Sequence, residues 1–500
     1  MLIHTPTHPW LRDLHVTYVP TRPSGGLAEQ FVSDLMAYME HEGHSTEAAP
    51  SAETDVILTT TRLGEPLGWR EALMFTARRR YRLEHVPTVF TIVHARPAQF
   101  NELMGKIEEA LKSGEETPPG LDGIPETAYR TLHEQGKRGG AIQYLERVLQ
   151  IQTKCIRVLL LIGEDKPEAA YLFDLVGAHP QIRFEEAEAF HRDIATRIAT
   201  AASTREITRH RAVEPEITAE EWGRLPAIGE MIQASKEFGH RDFFTEMIRV
   251  SDVAEVPGFS EAISSQYSEG CFATWAAEIN GLLTTITGSA RPVRKENISD
   301  KDLAVIVGIK PEHDGALIRK VEGHPNHAPS SEAVEMIGMD AQLPRILLAN
   351  GAQAPVIRSK LHGHRGVRTF DPRRIEYVPL AESYLHYPVS CSTDAQYRAV
   401  REAFLQSSAL QNPDDPRQVV FTILPGHGMI LVEKWVEGKQ AFQAIWEAMD
   451  RGEIEISNHI PQGPFTFKCS AERCRLPESG GRREADPPRH RKVSIPGAAS

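Results

Sequence analysis

The chain has 500 residues, too many for one hydrophobic core, and its 41% hydrophobic and 25% charged residues match a globular protein and exclude a disordered or fibrous one. Its 56 basic residues against 68 acidic ones give a formal net charge of −12, and no Lys/Arg-rich run stands out in the globular part, so no nucleic-acid footprint is present. The five cysteines (Cys155, Cys271, Cys391, Cys469, Cys474) are few and mostly widely spaced, which argues for a reducing compartment, and no apolar run approaches the roughly 20 residues that span a bilayer.

From the N-terminus, MLIHTPTHPWLRDLHVTYVP lacks the charged start and apolar stretch of a signal peptide, so a soluble cytoplasmic enzyme is expected. A first block, 1–124, alternates strand and helix. Leu14–Val19 reads as a strand, Leu27–Gly43 as an amphipathic helix, Asp55–Thr60 as a strand, Trp69–Arg82 as a helix and Val86–Val93 as a strand. Short β-branched runs alternating with helices imply a parallel sheet. Ser113–Gly123, polar and rich in Pro and Gly, suits a linker.

The second block, 125–260, repeats the pattern. A helix near Ala141–Gln152 leads into Ile156–Ile162 (IRVLLLI), a continuous apolar run suited to a buried central strand. GEDKPEAAYLFDLVG reads as a turn into a helix, followed by a strand at Gln181–Phe184, a helix at Glu185–Ala201 and polar helical sequence through Val250. No G-x-G-x-x-G follows a strand, so nothing supports a dinucleotide site.

In the third block, 261–468, a helix is expected at Ala273–Ile286. Strands then dominate: Leu303–Ile309, Ala316–Glu322, Arg345–Leu348, Pro355–Lys360, Arg374–Val378, Val419–Leu424 and Met429–Val432. Helices at Thr393–Leu405 and Gln440–Met449 interrupt them. The expected fold class is therefore α/β, with two Rossmann-like α/β domains and a β-rich, barrel-like C-terminal domain. Residues 469–500 carry seven Lys/Arg against four acids with no apolar periodicity and read as a disordered basic tail, inert or touching an anionic partner. Cys469 and Cys474 lie there without further ligands nearby, a weak zinc signal.

Residues suited to chemistry concentrate in the third block. Glu269, at a strand end before Gly270, is either a cleft carboxylate or a first-turn helix acid. His324 and His327 sit in an irregular loop before Ser330 and Ser331, which suit capping of a helix Glu332–Ile337. In SKLHGHRG, His362 and His364 are two apart, so on a strand both face one side and can reach one metal. Lys360, Arg365 and Arg368 add cations suited to a substrate carboxylate or phosphate. His386 and Cys391, just ahead of a helix, are either a base and nucleophile or a capping turn and a core thiol. His427 sits at the tip of a Pro-Gly-His-Gly turn, as a hairpin residue, a metal ligand or an acid–base group.

Two α/β blocks followed by a β-rich third domain, with the stretch YSEGCFATWAAEINGLLTTITGSARPV (Tyr267–Val293) and DLAVIVG (Asp302–Gly308) after it, resemble the L-fucose isomerase / L-arabinose isomerase superfamily. The resemblance implies a divalent metal, usually Mn²⁺, held by two acids and a late histidine, and aldose–ketose isomerisation of a small carbohydrate. It carries over Glu269, with His427 or His386 in the place of the late histidine; no second acid matches. It implies an enediolate, with Glu269 shuttling a proton between C1 and C2 and Arg365 or Lys360 orienting the substrate. A class II aldolase-like lyase would instead use His362, His364 and His427 on Zn²⁺, and a non-catalytic carbohydrate-binding protein would use the scaffold without turnover. The catalytic candidates are thus Glu269 and His427. The metal candidates are Glu269, His362, His364 and His427, and the substrate-binding candidates are Lys360, Arg365, His324 and His386. The expected partners are a small carbohydrate and further copies of the chain, with no nucleic acid and no membrane.

Overall fold

The computed structural model describes residues 13–20, 26–62, 87–102, 155–174, 177–178, 182–204, 207, 209–244, 270–286, 294–330, 332–381, 384, 393–425, 427–436, 438–457 and 466–476. The expected helices Trp69–Arg82 and Ala141–Gln152, the Ser113–Gly123 linker, and Glu269, His386 and Cys391 lie outside them. Among the described residues no helix is long and apolar enough to cross a membrane.

The fold is mixed α/β with a β-rich C-terminal region, the class expected. The first sheet contains β1 (His15–Tyr18), β2 (Ser45–Glu47), β3 (Val56–Arg62), β4 (Thr88–Ala95), β5 (Cys155–Ile162), β6 (Pro167–Asp174), β7 (Gly177–Ala178) and β8 (Ile182–Arg183). Its order is β2-β1-β3-β4-β5-β6-β7, with β8 also on β6. Strands β1 to β5 run parallel. Helix α1 (Leu27–His41) buries Ala28, Phe31, Val32, Leu35 and Met39 at helical spacing, and Phe31 meets Phe190 of α2 (Ala187–Ser203) with ring centroids 6.0 Å apart. Because β4 pairs with β5, strands of both expected α/β blocks share one sheet. Sequence periodicity locates strands but not their neighbours, and the neighbours decide this joining.

Two elements differ from expectation here. GEDKPEAAYLFDLVG turns into strand β6, antiparallel to β5, because the Gly163 N–H closes on the Lys166 carbonyl (2.9 Å) and sends the chain straight back along a buried strand. The polar stretch read as helical through Val250 contains a strand, β9 (Arg211–Ile217), before helices α3 (Ala219–Gly223) and α4 (Pro226–His240).

The second sheet adds β10 (Cys271–Ala276), β11 (Gly281–Thr285), β12 (Leu303–Ile309), β13 (Ala316–Val321), β16 (Ile357–Gly363), β18 (Ile375–Tyr377), β19 (Val419–Leu424) and β20 (Gly428–Lys434). Strands β14 (Arg345–Leu347) and β15 (Gln353–Pro355) form a separate pair. Among the described residues the order is β18-β19-β20-β16-β10-β11-β12-β13-β9, an open path, antiparallel except at β18/β19 and β13/β9. The helix expected at Ala273–Ile286 is instead the β10–β11 hairpin, with Ala276 opposite Gly281. Asn280 takes φ 46° ahead of Gly281, and an Asn-Gly pair between apolar runs favours a hairpin over a helix.

Both faces of this sheet are covered. One face, with Phe272, Leu361 and Leu431, packs against α4 and α8 (Gln443–Asp450). The other, with Cys271, Ile430 and Val432, packs against α5 (Ala333–Asp340) and α6 (Asp394–Leu405); a short α7 (Ser408–Gln411) follows α6. This double covering explains why every residue of β19 and β20 is buried, most of them apolar. Thr393 caps α6, its Oγ1 accepting from the Gln396 N–H (3.4 Å). A four-stranded sheet of β17 (Gly366–Phe370), β21 (Ile454–Ser457), β22 (Lys468–Cys469) and β23 (Cys474–Arg475) closes the described chain. Residues 469–476 therefore belong to folded structure rather than to the tail. Cys469 and Cys474 are joined in a disulfide, not arranged as a zinc pair.

Candidate metal centre

The site is built where β16 and β20 end side by side. Their ladder sets His362 opposite Ile430 and Gly363 opposite Met429, and β10 sets Cys271 opposite His362 on the other side. His362 therefore points to the sheet face covered by α5 and α6. His364 lies in a bend just past the strand, and His427 sits in the turn before β20, its N–H donating to the Leu424 carbonyl (3.0 Å).

Two glycines allow the backbones to come this close. A Cβ on Gly428, at φ 146°, would lie 2.8 Å from His364 Cα and closer still to the Gly363 carbonyl oxygen. A Cβ on Gly363 would lie 2.6 Å from Phe243 Cε1. Only residues without a side chain fit both places.

The result is a triangle of buried imidazoles. Ring centroids are 5.1 Å apart for His362–His364, 4.8 Å for His362–His427 and 4.9 Å for His364–His427. One nitrogen from each can be chosen so that all lie within 4.8 Å of one another, so the three could hold a metal ion. His362 Nδ1 donates to the Met429 carbonyl (2.9 Å), so in a metal-binding imidazole Nε2 is the nitrogen that would carry the lone pair. That Nε2 is buried with no hydrogen-bond partner among the described residues. An imidazole held through one nitrogen by a backbone carbonyl and packed beside two further imidazoles is how a transition-metal ligand is prepared.

Helix α5 covers this end of the sheet and carries buried acids that are not among the sequence candidates. All eight of its residues are buried, among them Glu335 and Asp340. Cys271 Sγ lies 4.0 Å from Met336 Sδ, which sets the first turn of α5 against the ladder partner of His362. Burial and the nearby Glu332 carboxylate push the Glu335 carboxyl well above its usual range, and burial likewise pushes the Cys271 thiol up. The signal was an acid among apolar residues in SSEAVEMIGMD, since a buried acid needs a reason to be there.

The other sequence candidates fall as follows. Lys360, on the same face as His362, is fully buried and its ammonium donates to Asp340 Oδ2 (2.6 Å), so this cation neutralises a core acid rather than meeting a substrate. Arg365, next to His364 in the chain, reaches Asp242 Oδ2 at 3.3 Å. His324 follows β13, four ladder steps from β16 and roughly 19 Å away at ordinary strand spacing, so the fold does not bring it to the triad. It rests instead against Trp222 (ring centroids 5.3 Å) and Asp300 (3.6 Å). Ser330 does not cap α5: its hydroxyl bonds Glu332 Oε2 (2.7 Å), and the helix start has no side-chain cap. Glu269 and His386 lie outside the described residues, although Gly270, next to Glu269, sits beside the His362 carbonyl.

No protein-family model matches the chain, and no curated protein matches it.

Proposed function

We propose that the protein is a metal-dependent enzyme that acts on a small carbohydrate through an enediolate, as an aldose–ketose isomerase. The observation that supports it is the convergence of His362, His364 and His427, with the buried Nε2 of His362 among them. A divalent metal bound there would supply Lewis acidity to adjacent substrate oxygens and so acidify the C–H between them. The chain's own residues would do the rest. The Met429 carbonyl orients His362, the apolar layer under α5 and α6 limits water, and Arg365, next to His364 in the chain, orients the substrate. Glu269, beside Gly270, is the group proposed to carry the proton between C1 and C2. An all-imidazole donor set suits Zn²⁺ better than Mn²⁺, which favours oxygen ligands, so Zn²⁺ is the first expectation and Mn²⁺ the second. Cytoplasmic location and a homo-oligomeric state belong to the same reading.

One observation favours a second reading. The described ligand set is an H-x-H pair plus a later histidine with no carboxylate among them, the pattern a class II aldolase-like lyase uses on zinc. Incubation of the zinc- and manganese-loaded protein with a panel of aldoses, followed by NMR, tests both. Interconverted sugars support the isomerase, shorter fragments the lyase, and turnover that survives exhaustive chelation sinks both.

A further inference from the structure

The molecule holds a second concave site, away from the triad. A cavity of about 320 Å³ opens beside β18, the last strand of the second sheet among the described residues, and its size suits a small organic molecule. Its floor is apolar. Ile375 stands opposite Val419 where β18 pairs with β19, and Ala444 and Ala448, one turn apart on α8, complete it. Val419 lies opposite Glu433 on β20 and Leu424 opposite Gly428, so the cavity is roughly 17 Å along the strands from the histidine end.

Residues flanking these elements make a cationic rim: Arg374 just before β18, Gln418 just before β19, Lys439 ahead of α8 and Arg451 just after it. Glu447 of α8 holds two of them in place. Its Oε2 accepts from Lys439 Nζ (2.9 Å) and from Arg451 Nη1 (3.0 Å), so those nitrogens are no more than about 6 Å apart. The Lys439 ammonium, then the Gln443 amide and the Arg451 guanidinium, hold the Glu447 carboxyl down to about 2, and it stays charged. Lys439 Nζ also donates to Gln418 Oε1 (3.2 Å), and Arg451 forks onto Glu453 (3.0 and 3.1 Å). An ammonium has three N–H groups and a guanidinium five, so Lys439 and Arg451 both keep donors to spare. The Arg374 guanidinium has no hydrogen bond or ion pair among the described residues. Three cations thus outnumber two acids around one cavity, on a chain whose net charge is −12.

We propose that this cavity binds a small phosphorylated organic molecule, its phosphate held by Arg374, Lys439 and Arg451 and its body resting on the Ile375–Val419 floor. A phosphate monoester brings three acceptor oxygens and a charge of about −1.5 to −2 at neutral pH, which suits three cationic donors better than a carboxylate does. Arginine meets phosphate through paired N–H groups, and lysine adds a point charge. A bare phosphate ion would leave the apolar floor to water, so the lining favours an ester. The site stands apart from the metal centre and does not depend on the enediolate reading.

Calorimetric titration of the full chain in low-salt, phosphate-free buffer, after removal of metal by chelation, tests this. The probes are glucose 6-phosphate, glycerol 3-phosphate, glucose and inorganic phosphate. One or both esters should bind once per chain, about 10-fold or more tighter than inorganic phosphate, and glucose should not bind. Arg374→Ala should weaken the ester about 10- to 100-fold, the size of lost charge-assisted hydrogen bonds, and Lys439→Gln should weaken it too. Arg374 is exposed and has no partner among the described residues, so Arg374→Ala should unfold in urea like the parent and its loss of binding is not a folding defect. The proposal is overturned if neither ester binds with Kd below about 1 mM, or if inorganic phosphate binds as tightly as the esters. Affinity unchanged in both variants overturns it as well. Ester binding that appears only when zinc is restored places the ester at the histidine triad and likewise overturns it.

Discussion

Replacing Gly428 by alanine places one methyl group where the structure has no room for it. The new Cβ would meet His364 Cα at 2.8 Å and press on the Gly363 carbonyl, both backbone, while φ stays at 146°. Backbone in that region costs a side-chain-bearing residue about 1–3 kcal/mol. Forcing the neighbouring strand end away adds about 1–3 kcal/mol of overpacking. The sum is about 4 kcal/mol, concentrated at the point where two of the three histidines are held together. Urea unfolding should show that loss, and a competition titration with a zinc chelator should show affinity reduced about 10- to 100-fold, the size expected when supporting groups of a metal site move. If Gly428→Ala unfolds within about 1 kcal/mol of the parent and binds zinc equally well, close approach at Gly428 does not assemble the centre.

Other substitutions probe the scaffold around it. Lys360→Met leaves the buried Asp340 carboxylate without its cation and should cost about 3–5 kcal/mol, whereas Lys360→Met with Asp340→Leu should recover most of that. Equal losses in the single and double variants would show that the pair does not act as a unit. Glu433→Ala removes the acceptor for the buried N–H groups of Phe442 (2.9 Å), Ala444 (2.7 Å) and Ile445 (3.2 Å) at the start of α8. The Phe442 N–H keeps the Ser359 Oγ (3.0 Å) and the Ile445 N–H keeps the Phe442 carbonyl (3.1 Å), so the Ala444 N–H is the one left unmatched; denaturant titration should show a loss of about 1–3 kcal/mol, and no loss would contradict the assignment. His324→Ala should leave metal content untouched, since the ladder places it roughly 19 Å from the triad; elemental analysis that finds metal lost would refute that placement.

Much of the C-terminal sheet was legible in the sequence. Leu303–Ile309 and Val419–Leu424 are strands with the expected bounds, since short apolar β-branched runs between turn residues have few alternatives. The His362–His364–His427 grouping was legible in part. The two-residue spacing put His362 and His364 within reach of one metal, and His427 followed from a histidine among turn glycines. What no local pattern shows is which strands become neighbours. The pairing of β16 with β20, and hence the meeting of His427 with the H-x-H pair 63 residues earlier, is a tertiary fact. For the same reason the sequence does not show that Lys360 pairs with Asp340, which stands on a helix 20 residues away. The segment Ala273–Ile286 differs from the expected helix for a different reason: the Asn280–Gly281 pair between two apolar runs turns it into a hairpin. Glu335 was missed because an acid in a short amphipathic window looks like a solvent-facing residue until every face of α5 proves buried.

The central claim is that His362, His364 and His427 bind one metal ion together. Elemental analysis of the purified protein, alongside His362→Ala, His364→Ala and His427→Ala, tests it most directly. One zinc or manganese per chain in the parent, and loss of it in each single variant with the fold intact by circular dichroism, is the predicted result. A parent that holds no metal after incubation with either ion, or variants that retain it in full, would contradict the account.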